Sequence, residues 1–91
     1  MITKEYAIIL MRKGLKNRLF YCHANSVANN CMDTASKYLS LINTLDINGT
    51  LIGKHNSWAT DSFAFAFSQL RQIPRDWYDE LYESMFGKLD T

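Results

Sequence analysis

The chain has 91 residues, 47% of them hydrophobic and 21% charged, with a formal net charge of +1. That length holds one domain around one core, and the balance of apolar to charged residues excludes wholesale disorder. Two cysteines are too few for a disulfide framework, and so small a net charge excludes polyanion binding by the surface as a whole.

The net charge conceals a polarity. Residues 1–32 hold Lys4, Arg12, Lys13, Lys16 and Arg18 against Glu5, whereas residues 73–91 hold Asp76, Asp79, Glu80, Glu83 and Asp90 against Arg75 and Lys88. Ends of opposite sign pair either with each other inside the fold or with a partner.

Over residues 4–22, Ile8, Met11, Leu15, Leu19 and Cys22 recur at helical spacing, and Thr3 is placed to cap the start. Gly14 opposes a helix here, at a cost of about 1 kcal/mol. The unbroken apolar run 6–11 also suits a buried strand paired with residues 19–22. Residues 26–46 form the clearest helical pattern, with Ala28, Cys31, Ala35, Tyr38, Ile42 and Leu45 on one stripe, widened by Met32 and Leu39. Asn25 or Ser26 suits the N-cap, and Asn48-Gly49 predicts a stop near Asp46, with a short hairpin or turn over 47–52.

Residues 58–72 place Ala59, Phe63, Ala66, Phe67 and Leu70 on one helix face. Trp58 and Phe65, seven residues apart, share the opposite face, so this helix is either packed on both sides or carries an exposed aromatic pair. Residues 74–87 read as an amphipathic helix begun by Pro74 and stopped by Gly87. Trp77, Tyr78, Leu81, Tyr82 and Met85 make its apolar arc, and Asp76, Asp79, Glu80 and Glu83 its acidic one.

Little here points to chemistry. Cys22, His23, Cys31 and His55 are the only soft metal ligands, without ligand-pair spacing, so no metal or other cofactor is expected. A dyad of Cys22 or Cys31 with His55 has no nucleophile motif around it, and reduced, buried thiols are the plainer expectation. The glycines Gly14, Gly49, Gly53 and Gly87 are scattered, with no phosphate-binding pattern. The acidic arc reads as a solvated face or a stripe that binds a partner. Arg12, Lys13, Lys16 and Arg18 are the best electrostatic footprint for phosphates, but basic and aromatic residues are not interleaved along the chain as in single-strand binders. No secretory signal pattern is visible, and the apolar run 6–11 is too short to span a bilayer, which predicts a cytoplasmic protein with no membrane partner.

One stretch has a family likeness. Ile42-Asn43 ends a helix, Ile47, Thr50, Gly53 and Lys54 make a turn, and Trp58 follows, with Phe63 and Phe67 five and nine positions later. This resembles the helix-turn-helix unit that follows the catalytic domain of serine recombinases. The resemblance implies a trihelical unit with the Trp under the turn and the two Phe plugged into the core. The positions that would face a DNA groove hold Asp61, Ser62, Ala64, Phe65 and Ser68 rather than base-reading side chains.

The sequence therefore predicts a mainly α, compact single domain over 1–91, of about four helices with a short hairpin or turn near 47–52; the alternative is α+β with an N-terminal β-hairpin. The expected role is a small non-enzymatic, protein-binding regulator or inhibitor of a larger machine, of the kind phages and mobile elements encode, anti-CRISPR inhibitors among them. Its partner-binding candidates are Trp58, Phe65, Asp79, Glu80 and Glu83. The alternative is a helix-turn-helix-like DNA-binding regulator using Arg12, Lys13, Lys16, Arg18 and Lys54. A small enzyme built on Cys31 or His55 ranks last.

Overall fold

The computed structural model describes residues 1–88; Asp90, counted above in the acidic end, lies outside them. Among the described residues four α-helices form: α1 (Lys4–Ala28), α2 (Met32–Asn48), α3 (Ser57–Gln69) and α4 (Tyr78–Phe86), the last entered through a single 3-10 turn over Arg75–Trp77. No strand occurs among the described residues, so the mainly α expectation holds; the N-terminal hairpin is not present, and the segment near 47–52 takes the turn rather than the hairpin. No helix among them is long and apolar enough to cross a membrane.

The first helix is longer than its periodicity suggested. Its 25 residues span about 37 Å at 1.5 Å per residue, close to the 42 Å long axis of the molecule. The Thr3 hydroxyl accepts the Tyr6 N–H at 3.1 Å and caps the start. Ala7, Met11, Leu15 and Leu19 are buried at i, i+4 spacing, which is the stripe that makes this segment a helix rather than a strand. Asn25 and Ser26 do not begin the second helix, because nothing between Cys22 and Ala28 breaks the first. Ser26 sits inside α1, its hydroxyl donating to the Cys22 carbonyl at 2.8 Å. The break falls at Asn29 and Asn30, the latter at φ +58°, a left-handed conformation that asparagine tolerates. Cys31 occupies the N-cap of α2.

Three contacts set α2 antiparallel to α1. His23 Nδ1 lies 2.9 Å from the Ala35 carbonyl, Lys16 pairs with Asp46, and Arg12 Nε donates to the Gly49 carbonyl at 3.1 Å. Gly49, at φ +73°, ends α2 in the left-handed cap that its dipeptide predicts, two residues beyond the expected stop. The following loop then doubles back, since Lys54, Asn56 and Trp58 share a recess with Lys37 and Ser40. Leu51 is buried in that loop, and the Leu51 and Gly53 N–H groups donate to the Met85 and Phe86 carbonyls, both at 2.9 Å. These bonds satisfy two carbonyls that the end of α4 leaves without helical partners.

Asn56 caps α3 through the Ala59 N–H at 3.0 Å. Ala59, Phe63, Ala66 and Phe67 are buried as the spacing required, and α3 stops at Gln69 rather than 72. Phe63 is the centre of the core, with the rings of Tyr78, Tyr82 and Phe86 edge-on around it at 5.5–5.6 Å between centroids. The charge polarity closes partly on itself: Lys4, in the basic start, pairs with Glu80, in the acidic end, at 2.7 Å and lies over the Trp77 ring.

Candidate functional site

A concavity runs between α1 and α3. Its floor is made of small residues: a Cβ added to Gly14 would lie 3.1 Å from Leu70 Cδ1 and 3.6 Å from Ala66 Cβ. The residue that opposed a helix in the sequence is what allows two helices to approach. Arg18, Tyr21 and Phe65 form one wall, and Leu70 closes the other end of a groove of about 560 Å³. Asn17 and Gln69 supply polar rims.

Arg18 is the distinctive group of this groove. Its guanidinium lies 3.7 Å from the centre of the Phe65 ring and 5.0 Å from that of Tyr21. Gly14, Arg18 and Tyr21 follow one another at spacings of four and three, so a single edge of α1 presents them all to α3. Phe65 is 43% exposed and Tyr21 61% exposed. The half-buried Tyr38 of α2 lies close to Cys22 and within reach of the Arg18 charge. Its phenol is held above its ordinary pKa, first by burial and then by the Cys22 thiol, with Arg18 pulling the other way and Asp61 adding to the rise.

Folding therefore interleaves cations and aromatics that the linear sequence keeps apart. Trp58 repeats the motif two turns earlier on the same face of α3, with Lys37 Nζ 4.8 Å from its ring centre. It is half-buried, in the recess it shares with Leu41 and Lys54, whereas Phe65 opens on the α1 side. The expected aromatic pair is thus divided between two neighbouring surfaces, each covered by a cation from a different helix. Ser62, placed on the outer face by the sequence, is buried and donates to the Trp58 carbonyl at 2.6 Å; Asp61, Ala64 and Ser68 are exposed.

The basic candidates do not form one patch. Arg12 is engaged with the end of α2 and Lys16 with Asp46; Lys13 lines the same recess and is exposed. Arg18 faces α3 instead, and Lys54 lies near Trp58. The acidic candidates Asp79, Glu80 and Glu83 are exposed on α4, Glu80 bound to Lys4 and Glu83 4.0 Å from Lys88.

The thiols are more open than expected. Cys31 is exposed at the turn between α1 and α2, and Cys22 is half-buried. The apolar stripe to which Cys31 was assigned stops short of it, because residues 29–31 leave the helical path. His55 lies elsewhere, its Nδ1 3.3 Å from the Tyr82 hydroxyl and its ring against Phe86. Tyr21, Gly14 and Leu70 were not among the sequence candidates. The spacing of Gly14, Arg18 and Tyr21 was the available signal, masked by treating residues 19–22 as a possible strand.

Compared with family models, with curated proteins and with solved structures, the chain has no significant match in any of the three.

Proposed function

We propose that the protein is a non-enzymatic binding protein, a regulator or inhibitor of a larger protein, and that it docks through the face shared by α1 and α3. The observation that carries this reading is the exposure of Tyr21 and Phe65 around Arg18 in one groove. Tyr, Phe and Arg are enriched in protein interfaces, and Tyr and Arg are prominent among the side chains that dominate interface energetics. Held by two rings, the Arg18 side chain has less conformational freedom left to lose on binding. The α4 acids are a second, peripheral contact at most, since Glu80 and Glu83 have cations of their own.

Affinity capture from cells of the source organism tests the reading. The wild-type chain is expected to retain a discrete protein that a Tyr21→Ser/Phe65→Ser variant loses. Phe20→Ser, which removes an exposed aromatic outside the groove, is expected to retain it. Equal capture by the groove variant overturns the proposal. So does a salt-sensitive mobility shift of duplex DNA abolished by Lys13→Ala/Lys54→Ala, which would favour the DNA-binding alternative.

A further inference from the structure

We infer that the groove between α1 and α3 receives a short amphipathic helix of the partner, and that a carboxylate on this helix is gripped by Arg18. This rests on the protein-binding role proposed above and specifies the chemistry of what is bound.

The state of Arg18 carries the inference. Arg12 donates to the Gly49 carbonyl and Arg75 to three carbonyls, whereas Arg18 and the exposed Arg71 have no acceptor among the described residues, and of these two only Arg18 lines the groove. The Phe65 and Tyr21 rings lie against its guanidinium at 3.7 and 5.0 Å, and its N–H groups stay open to solvent, available to a ligand. That geometry matches a carboxylate bidentately, and a half-buried site strengthens the pairing relative to open solvent. Among the described residues, Arg18 is the one charged side chain lining the groove, and no acid lines it. A complementary ligand therefore carries one negative charge on an otherwise apolar face.

Dimensions argue for a helix. From Gly14 to Tyr21 the α1 edge runs about 10 Å, two helical turns. The floor of Gly14 and Ala66 admits a close-packed apolar side chain, and Phe65 and Leu70 flank it. An apolar helix face laid into such a groove is anchored by residues at i, i+3 or i+4, and i+7. A nucleic-acid strand fits less well. Its phosphates need several cations along a track, and Arg18 is the single cation among the described residues lining the groove.

The test is selection from a displayed library of helical peptides about 14 residues long, four turns, on immobilised full-length protein. Enriched peptides are expected to place Asp or Glu at one register position flanked by apolar residues three or four away. The best of them is expected to bind Arg18→Gln at least about tenfold more weakly, as the loss of a charge-assisted pair implies. Arg18→Lys is expected to recover only part, and Arg18→Glu to select Lys or Arg at the same register. Circular dichroism of each variant separates lost binding from lost fold. Enrichment without an acidic position, no enrichment at all, undiminished binding to Arg18→Gln, or tighter binding of a single-stranded DNA oligonucleotide than of any peptide overturns the inference. If capture from cells still depends on Tyr21 and Phe65 in that event, the binding role stands and only the ligand chemistry falls.

Discussion

Arg75 lies over the ring of Phe67, its guanidinium carbon 3.9 Å from the ring centre, and its Nη1 donates to the carbonyl of the same residue at 3.1 Å. Its Nη2 also reaches the Leu70 carbonyl at 2.7 Å and the Ile73 carbonyl at 2.9 Å. One planar side chain thus ties together three carbonyls at the end of α3 and the following turn, two of which, Phe67 and Leu70, also accept the Leu70 and Ile73 N–H groups at 3.1 Å. Charge-assisted bonds of this kind contribute about 1.5–3 kcal/mol. Arg75→Ala is expected to lower stability by about 2 kcal/mol in urea denaturation. Arg75→Lys is expected to recover less than half of that, because an ammonium cannot fork across several acceptors. Equal stability of Arg75→Ala and wild type would show that water replaces the side chain without loss.

Phe63 is fully buried among Tyr78, Tyr82 and Phe86 and joins α3 to α4. Truncation to alanine removes its transfer energy and leaves a cavity, at about 3–5 kcal/mol. A domain of this size has roughly 5–15 kcal/mol in all. Phe63→Ala is expected to lose its near-ultraviolet dichroism and cooperative melting at physiological temperature, while Phe63→Leu keeps a cooperative but lower transition. A sharp, unshifted melt for Phe63→Ala would place the core elsewhere.

Tyr38 and Tyr78 predict an alkaline limit to stability. Burial raises both phenols above their ordinary pKa, with Tyr82 and Asp79 adding to the rise at Tyr78. Below the ordinary value the neutral phenols contribute fully to stability. As pH climbs from there toward the raised folded value, the unfolded chain has released protons that the folded chain still holds, so stability falls. Denaturation midpoints measured from about pH 8 to about pH 11 are expected to decline, and Tyr78→Phe is expected to flatten the decline. An unchanged slope in that variant would assign the alkaline loss to other groups.

Much of this architecture was legible because it rests on local spacing. The stripe through Met11, Leu15 and Leu19, the cap at Gly49 and the arc of Tyr78, Leu81 and Met85 each follow from positions within one element. What escaped depends on residues without periodicity or on pairings between elements. Leu51 and Ile73 are core residues contributed by loops, and Phe86, directly before the Gly87 stop, is buried beyond the apolar arc that the spacing predicts. Asn29-Asn30 is a weaker stop signal than a glycine, so the boundary between α1 and α2 was set too early. The candidate site was legible only in Phe65 and Arg18 taken singly. Their contact depends on α1 and α3 approaching over Gly14, a tertiary fact that helical spacing does not encode.

Cys31 offers a direct chemical check on that revised boundary. A stripe running unbroken from residue 26 to 46 would bury it; the turn at 29–31 exposes it and leaves Cys22 half-buried against Tyr38. Thiol alkylation of the native protein is expected to show one fast and one slow site, with Cys31→Ser removing the fast one. Two slow thiols in the native state, both released by denaturant, would restore the continuous helix.

Gly14 sets two effects of opposite sign against each other. Alanine there removes a helix-interior glycine, a gain of about 1 kcal/mol. Its Cβ would meet Leu70 Cδ1 at 3.1 Å, and that contact is the far end of a half-buried, adjustable side chain. Gly14→Ala is therefore expected to lie within about 0.5 kcal/mol of wild type, the gain offset by the displacement of Leu70. A leucine has no such latitude, because Ala66 Cβ stands 3.6 Å behind and α3 must move as a whole. Gly14→Leu is expected to lose about 1–3 kcal/mol and to shift the fluorescence of Tyr21, which stands on the same edge of α1. Thermal melts of the two variants side by side decide the matter: a Gly14→Leu chain as stable as Gly14→Ala would mean that α1 and α3 do not pack as closely as the groove between them requires.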